Sequence, residues 1–332
     1  MSTDFAVLRP GKDLGERYLW RLLQSPEFVD SVVSHSQGIG YPAISPTELA
    51  ALPVWVPPID EQRLIATLLD RETSKIDALI AKKQRLIEQL QEKRTALISH
   101  AVTKGVEPDV PMKDSGVEWL GQIPAHWRIA KFKRTAFFQE GPGLRNWQFT
   151  ESGIRVICVT NITESGIDFS SYEKFISSEE YESTYRQFTV ACGDLLLSSS
   201  GNSWGKIAEC SISEPMILNT STIRINENRS RDLLKSLMKW TLQSDGTREQ
   251  LRLMMTGSCQ PNFGPSHLSR VIVPVPPQDE QNRLVNWLEE RTQKIGTLMA
   301  TVREGIDRLR EYRNALISAA VTGKFDLRGE VE

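Results

Sequence analysis

The chain has 332 residues, of which 39% are hydrophobic and 25% charged, the balance of an ordinary globular protein rather than a disordered or fibrous one. That length can support two sizeable cores. A net charge of −2 excludes a uniformly basic polyanion binder, so any nucleic-acid contact would have to come from local basic patches.

The four cysteines, Cys158, Cys192, Cys210 and Cys259, stand far apart and form no C-x-x-C pair. Their spacing suits neither a zinc site nor a small disulfide scaffold, and they read as reduced structural thiols. The opening MSTDFAVLRPGKD lacks an apolar segment of signal-peptide length, and no run is long and apolar enough to span a membrane. A cytoplasmic protein with no membrane partner is expected.

Residues 1–56 make sense only beside a later part of the chain. PPIDEQ begins at Pro57 and PPQDEQ at Pro276, an offset of 219 residues; at that offset ALISHAVT (96–103) falls on ALISAAVT (315–322). Thr73, Lys75, Ile76, Leu79, Ile87, Leu90 and Arg94 meet identical residues, as do Leu23-Gln24-Ser25, Gly38, Pro42, Pro46 and Leu49 upstream. A gapless correspondence of this extent marks a duplicated unit. The second copy runs over roughly 111–329, whereas the first lacks a counterpart of about 110 of those residues. Residues 1–56 are therefore expected to be the C-terminal remnant of a first globular domain with part of its apolar face uncovered.

Residues 57–104 predict a long helix. Two prolines fix an extended lead-in, Asp60 stands where a side-chain oxygen could cap free N–H groups, and Glu61 adds charge near the positive helix end. Ile76, Leu79/Ile80, Leu86/Ile87, Leu90, Leu97 and Ala101 recur at spacings of three and four. Residues 276–323 repeat the pattern with Asp279 at the start and Ile295, Leu298/Met299, Ile306, Leu309, Leu316 and Ala320 along the stripe. From Glu61 to Val102 such a helix would extend on the order of 60 Å at 1.5 Å per residue. Two matching stripes pack most economically on each other, and a pseudo-twofold repeat makes them antiparallel, a coiled-coil spacer with one globular domain at each end. Lys82, Lys83, Arg85, Lys93 and Arg94 form a basic run on the first helix, suited to a solvated face or to contact with a polyanion.

Residues 105–127 are punctuated by proline and glycine and read as a linker; 128–275 form a complete domain, and 324–332 a tail. Within the domain, Ile154–Val159, Asp194–Ser198, Lys206–Ile212 and Ile217–Ile225 predict strands, and segments near Glu179–Arg186 and Asp232–Leu242 predict helices. The expected fold class is α+β: a mixed α/β domain and a partial second one, joined to two long antiparallel helices.

The stretch SSSGNSWGK (198–206) contains G-x-S-x-G, the turn that presents a nucleophile in many serine hydrolases. That turn needs a helix after the serine, and Ile207, Cys210, Ile212 and Pro215 favour a short strand instead. A Ser203, Asp245, His267 order could be drawn, yet the position of His267 is taken by Glu48 in the duplicate. A phosphate-binding P-loop fails too, because the spacing is one residue short and Ile207 stands where Ser or Thr should bind Mg²⁺.

What remains is a strand–turn–strand with a small polar tip: Ser199, Asn202, Ser203 and Lys206 offer hydrogen bonds and charge, and Trp204 a flat apolar face. Arg145, Asn146 and Gln148 form a second polar cluster after the basic residues Arg128, Lys131, Lys133 and Arg134. Asn219, Thr220 and Arg224 belong to a third, and Gln260 and Asn262 to a fourth. Arg matches guanine, and Asn or Gln matches adenine, bidentately in the major groove. Four such clusters in one domain point to double-stranded DNA, with these residues as candidate contacts.

The sequence resembles the specificity subunits of type I restriction-modification systems. The resemblance is carried by MKDSGVEWLGQIPAHW (112–127), GDLLLSSSGNSWGK (193–206), GSCQPNFGPSHL (257–268) and both helices running from PPxDEQ to ALISxAVT. It implies two target-recognition domains, each reading half of a split DNA sequence, spaced by the helices. It also implies a non-catalytic subunit that recruits methyltransferase (modification) subunits and a restriction/motor subunit, with S-adenosylmethionine held by the methyltransferase. Here 1–56 match only the tail of the first recognition domain, so the site read is a bipartite one or a half-site. A second specificity chain or an N-terminal fragment would supply the remainder. A truncated assembly or dominant-interfering protein, binding methyltransferase without reading DNA, is the alternative that this departure raises.

Overall fold

The computed structural model of the protein describes residues 6–38, 42–255 and 261–324. It divides into two compact units, one drawn from 1–90 and 296–332 and the other from 91–295. Two long helices, Ile59–Lys104 and Gln278–Val321, contribute to both. No helix among the described residues is long and apolar enough to cross a membrane.

In the first unit three short helices, Glu16–Leu23, Pro26–His35 and Pro46–Ala51, precede the first long helix. Ser25 caps the second of them, its hydroxyl accepting from Phe28 N at 3.3 Å, with Pro26 in the first turn. Ser45 and Glu48 close a reciprocal capping box on the third. Tyr18 and Leu22 pack on Ile65, Leu68 and Leu69 of the first long helix and on Ile317, Ala320 and Val321 of the second. Arg313 pairs with Asp77 at 3.0 Å further along. Residues 65–69 thus meet 317–321 and 77 meets 313, so the two helices run antiparallel here, as the repeat predicts.

The second unit holds the sheets. Four antiparallel strands lie in the order Ile207–Glu209, Leu195–Ser198, Thr222–Glu227, Ala136–Glu140. A second sheet runs Phe175–Ile176, Ile154–Ile157, Met216–Leu218, Thr189–Val190, with Met216–Leu218 parallel to Ile154–Ile157. Leu195 and Leu197 point into one core with Ile223, Ile225, Trp240 and Phe263, while Leu196 points into another with Ala208, Met216 and Leu218. A strand buried on both faces reads as a continuous apolar run, which is why LLL gives no alternation. Ile98, Ala101 and Val102 of the first long helix join the larger core alongside Leu284, Val285 and Leu288 of the second, again antiparallel.

Several expected elements differ in extent. The run Ile217–Ile225 is two strands, because Asn219–Ser221 turns the chain from one sheet to the other, with Ser221 at φ 60° and Thr222 N donating to Asn219 O. Ile154–Val159 ends as a strand at Ile157, and Lys206–Ile212 narrows to Ile207–Glu209. The helix Asp245–Met254 has no counterpart among the elements expected from the sequence. The stretch 105–127 is more than a linker: Met112–Asp114 pairs with Gln122–Pro124, Trp119 rests on Gly246, and Trp127 is fully buried with its indole N–H donating to Glu280 at 2.9 Å.

The PPxDEQ aspartates do not cap. The helices begin one residue earlier, at Ile59 and Gln278, so Asp60 and Asp279 lie inside the first turn and accept from Arg63 and Arg283. The final glutamine does the anchoring. Gln62 accepts from Gly15 N at 2.7 Å and donates to Asp13 O and Pro57 O, both at 2.8 Å. Gln281, its duplicate, accepts from Leu234 N at 2.8 Å and donates to Asp232 O and Pro276 O. Each buried amide ties a long helix to the extended segment before it and to the loop before a short helix, satisfying groups that would otherwise be stranded. Thr73 and Thr292 likewise both donate to the carbonyl four residues back.

One contrast separates the copies. Ile272–Val275 pairs with Arg128–Lys131 and buries Val273 and Val275 completely or nearly so. The equivalent Pro53–Val56 has no strand partner among the described residues, and Val54, Trp55 and Val56 stay exposed.

Candidate nucleic-acid interface

The polar clusters are built where strands end. The hairpin that carries Ser199–Lys206 leaves the buried strand Leu195–Ser198, makes a single tight turn at Gly201–Ser203 and returns as Ile207–Glu209. Gly201 and Gly205 take positive φ, 61° and 77°, which the turn requires. This is the strand–turn–strand expected from the sequence. Ser203 is followed by a strand, not a helix. Asp245 exchanges hydrogen bonds with Ser99, and His267 Nδ1 accepts from Gly264 N in the cap of its own helix. Asp245 and His267 are thus committed to separate partners, and neither hydrogen-bonds to Ser203.

Three of the four clusters meet. Ser200 and Asn262 face each other in an isolated antiparallel bridge, Gly201 N donates to Pro261 O at 3.1 Å and Phe263 N to Ser199 O at 3.1 Å. On the other side Ser199 N and its hydroxyl both donate to Ser221 O, at 2.9 and 3.0 Å. Ser221 N in turn donates to the Glu140 carboxylate at 3.0 Å. The chain therefore brings 199–204, 219–222 and 261–263 together, with Glu140 beside them. Any side chain at Gly141 would collide with the Asn219 carbonyl, so that approach of backbones depends on glycine. Arg145–Gln148 is a separate short turn, reached from Glu140 through Gly141–Leu144, and its flanking residues Leu144 and Phe149 pack against the cluster that holds Val156 and Tyr181.

Exposure divides the candidates. Arg145, Asn146, Asn202, Thr220 and Asn262 are exposed; Ser203, Trp204, Lys206 and Asn219 are half-buried. The Trp204 ring is half-buried and stands perpendicular to that of Phe263, with centroids 6.4 Å apart. Three candidates are turned inward. Ser199 is fully buried on the Ser221 carbonyl. Gln148 accepts from Arg145 N and donates to Glu180 and to the Tyr185 hydroxyl, which fixes the turn rather than reaching outward. Arg224 sits mid-strand, not in a loop, and its guanidinium donates to Thr189 O and Gln139 and faces Asp194. Gln260 lies outside the described residues, as does Cys259.

Two residues that the candidate set omitted stand out. Trp147, between Arg145 and Gln148, is 80% exposed, unusual for so large an apolar ring. Glu140 ends a strand, and nothing in FFQEG signals that its carboxylate will adjoin three loops. Nearby Cys158 accepts from the Asn219 amide at 3.5 Å, and burial pushes its thiol above the usual range, in keeping with a packed, unreactive sulfur.

The architecture is thus that of a mixed α+β domain whose sheets end in a laced polar loop cluster, carried on paired long helices within a duplicated chain. No protein-family model matches the sequence. It is 24% identical over 331 residues to the type I restriction enzyme MjaVIII specificity subunit of Methanocaldococcus jannaschii, across 98% of this chain and 74% of that protein. It is 21% identical over 336 residues to the EcoKI specificity subunit of Escherichia coli (strain K12), across 98% and 69% respectively. The fold superposes with a TM-score of 0.72 at 15% identity on a chain from a structure of complex assembly and conformational transition in the type I R-M system, covering 98% of this chain and 74% of that one. The chain is homologous to type I restriction enzyme specificity subunits.

Proposed function

We propose that this chain is the DNA-recognition subunit of a type I restriction-modification complex. The loop cluster of the second unit reads one part of the target, and the long helices dock methyltransferase subunits, with the restriction/motor subunit joining the assembly. The observation that carries the reading is the convergence of 199–204, 219–222 and 261–263 at one place, with Asn202, Thr220 and Asn262 exposed there. Exposed amides and hydroxyls on loops braced by buried strands suit base edges, because their positions are fixed before DNA arrives. Glu140 adds an acceptor of the kind that matches a cytosine amino group. Methyl transfer and its S-adenosylmethionine would belong to the partner methyltransferase, this chain supplying position rather than chemistry.

The test is a competition between duplexes of differing sequence for the full chain in the presence of its methyltransferase. Asn202→Ala and Asn262→Ala should each narrow the gap between preferred and unrelated DNA by about 1–3 kcal/mol, the worth of one amide paired with a base edge. If neither substitution changes sequence preference, the cluster is not the reading surface.

A further inference from the structure

A small cavity beside the recognition hairpin collects positive charge from three separate elements. It measures about 60 Å³ and is lined by Arg94 of the first long helix, Gly205 and Lys206 of the hairpin, Gln243 and Arg248 of two short helices, and Glu164. At roughly 10–15 Å³ per water, the space takes a few water-sized groups, which suits the oxygens of a single phosphate. None of the three cations forms an ion pair among the described residues.

The side chains are nevertheless held. Arg94 donates to Gln243 at 3.3 Å and lies over the Trp240 ring at 6.0 Å. Arg248 donates to the Gly205 carbonyl at 3.2 Å. Burial, above all, lowers Arg94 from its ordinary range; Glu164 works against this and the neighbouring Arg248 charge adds to it. The guanidinium remains charged all the same. The duplicate sharpens the point. Arg313, which answers to Arg94, is neutralised by Asp77, but the position answering to Asp77 in the other copy is Gly296. Arg248 answers to Val29. One copy closes its arginine with a carboxylate in ion-pair contact, while in the copy that carries the hairpin Glu164 lines the cavity without forming an ion pair and a second arginine stands beside the first.

We infer that Arg94, Lys206 and Arg248 form a binding site for a single phosphate of the DNA backbone, clamping the recognition hairpin and the first long helix to the same strand. Such a contact fixes the register of the domain on the duplex and carries no sequence information. This rests on the DNA-recognition reading above, so its test must separate the two.

The experiment measures binding of fluorescently labelled duplexes to the full chain by anisotropy across a salt series, for the unmodified chain, Arg94→Gln, Arg248→Gln and the double substitution. Each substitution should weaken binding by the same factor on every sequence, and the double substitution should flatten the slope of log affinity against log salt by about one in total, the share of a single phosphate. A scan of single methylphosphonate linkages should find one position where removing the phosphate charge weakens the unmodified chain and leaves the double variant unaffected. Arg248 is exposed, so Arg248→Gln decides the matter if Arg94→Gln disturbs folding. Unchanged affinity and slope in folded variants, while Asn202→Ala still erodes sequence preference, would overturn the clamp and leave the function standing. A loss confined to one sequence would overturn it as well, since that marks a base contact. Absence of duplex binding by the unmodified chain would remove both.

Discussion

Arg145 and Gln148 lie three residues apart and do opposite things. The arginine is exposed, whereas the glutamine is spent on Arg145 N, Glu180 and Tyr185. Arg145→Ala should therefore reduce sequence discrimination by about 1–3 kcal/mol with little change in thermal midpoint. Gln148→Ala should lower the midpoint instead, as buried partners lose their hydrogen bonds. Arg224→Ala belongs with the second kind: Asp194, Gln139 and Thr189 lose a shared donor, at a cost of about 1–3 kcal/mol in stability measured by denaturant titration. A residue of the first unit gives a pH signature. Burial by itself would raise the Asp70 carboxyl, but Arg17 and Arg21 outweigh it and hold it below the usual carboxylate range. A depressed folded value means that the stabilisation is fully present above the ordinary carboxylate pKa and fades as pH falls toward the folded one. Hydrogen exchange in residues 16–35 should accelerate below about pH 4, and Asp70→Asn should remove that dependence.

At the level of elements, the two PPxDEQ glutamines are hinge pins between a long helix and the domain that precedes it. Gln62→Ala and Gln281→Ala each leave one buried N–H and two carbonyls without a partner, and each should cost at least about 1–3 kcal/mol by calorimetry. Gly246→Ala should act differently, because its Cβ would occupy the place of the Trp119 ring; the expected readout is a red-shifted tryptophan emission as that ring leaves its seat. Both long helices were legible from the sequence, since a sustained three-four stripe leaves little choice of period. Their starts lie two residues before Glu61 and Glu280, where caps at Asp60 and Asp279 would set them, because Asp is a good cap in general and nothing local shows that a buried Gln will do the anchoring. The polar turn at Asn219–Ser221 was likewise hidden inside MILNTSTIRI, where flanking β-branched residues mask a change of sheet.

Across the whole molecule, the internal offset was the most informative feature of the sequence, and the structure repeats it element by element. Glu16–Leu23, Pro26–His35 and Pro46–Ala51 recur as Lys235–Gln243, Asp245–Met254 and Pro265–Leu268. Which polar loops converge was not legible, because residues 199, 221 and 262 meet only through strand pairing in three dimensions. Buried candidates such as Ser199 and Arg224 have the same composition as exposed ones, so residue type alone could not sort them. The duplication also explains the specialisation within the chain: the copy with paired sheets carries the loops, and its Pro53–Val56 counterpart lacks a strand partner among the described residues.

The most direct measurement is a selection from a pool of random duplex DNA by the full chain assembled with its methyltransferase. One short enriched sequence is expected, retained by the stability variants at Gln62 and abolished or blurred by Asn202→Ala with Asn262→Ala. Recovered duplexes indistinguishable from the starting pool, from an assembly shown to be folded and intact, would contradict the claim that this loop cluster reads DNA.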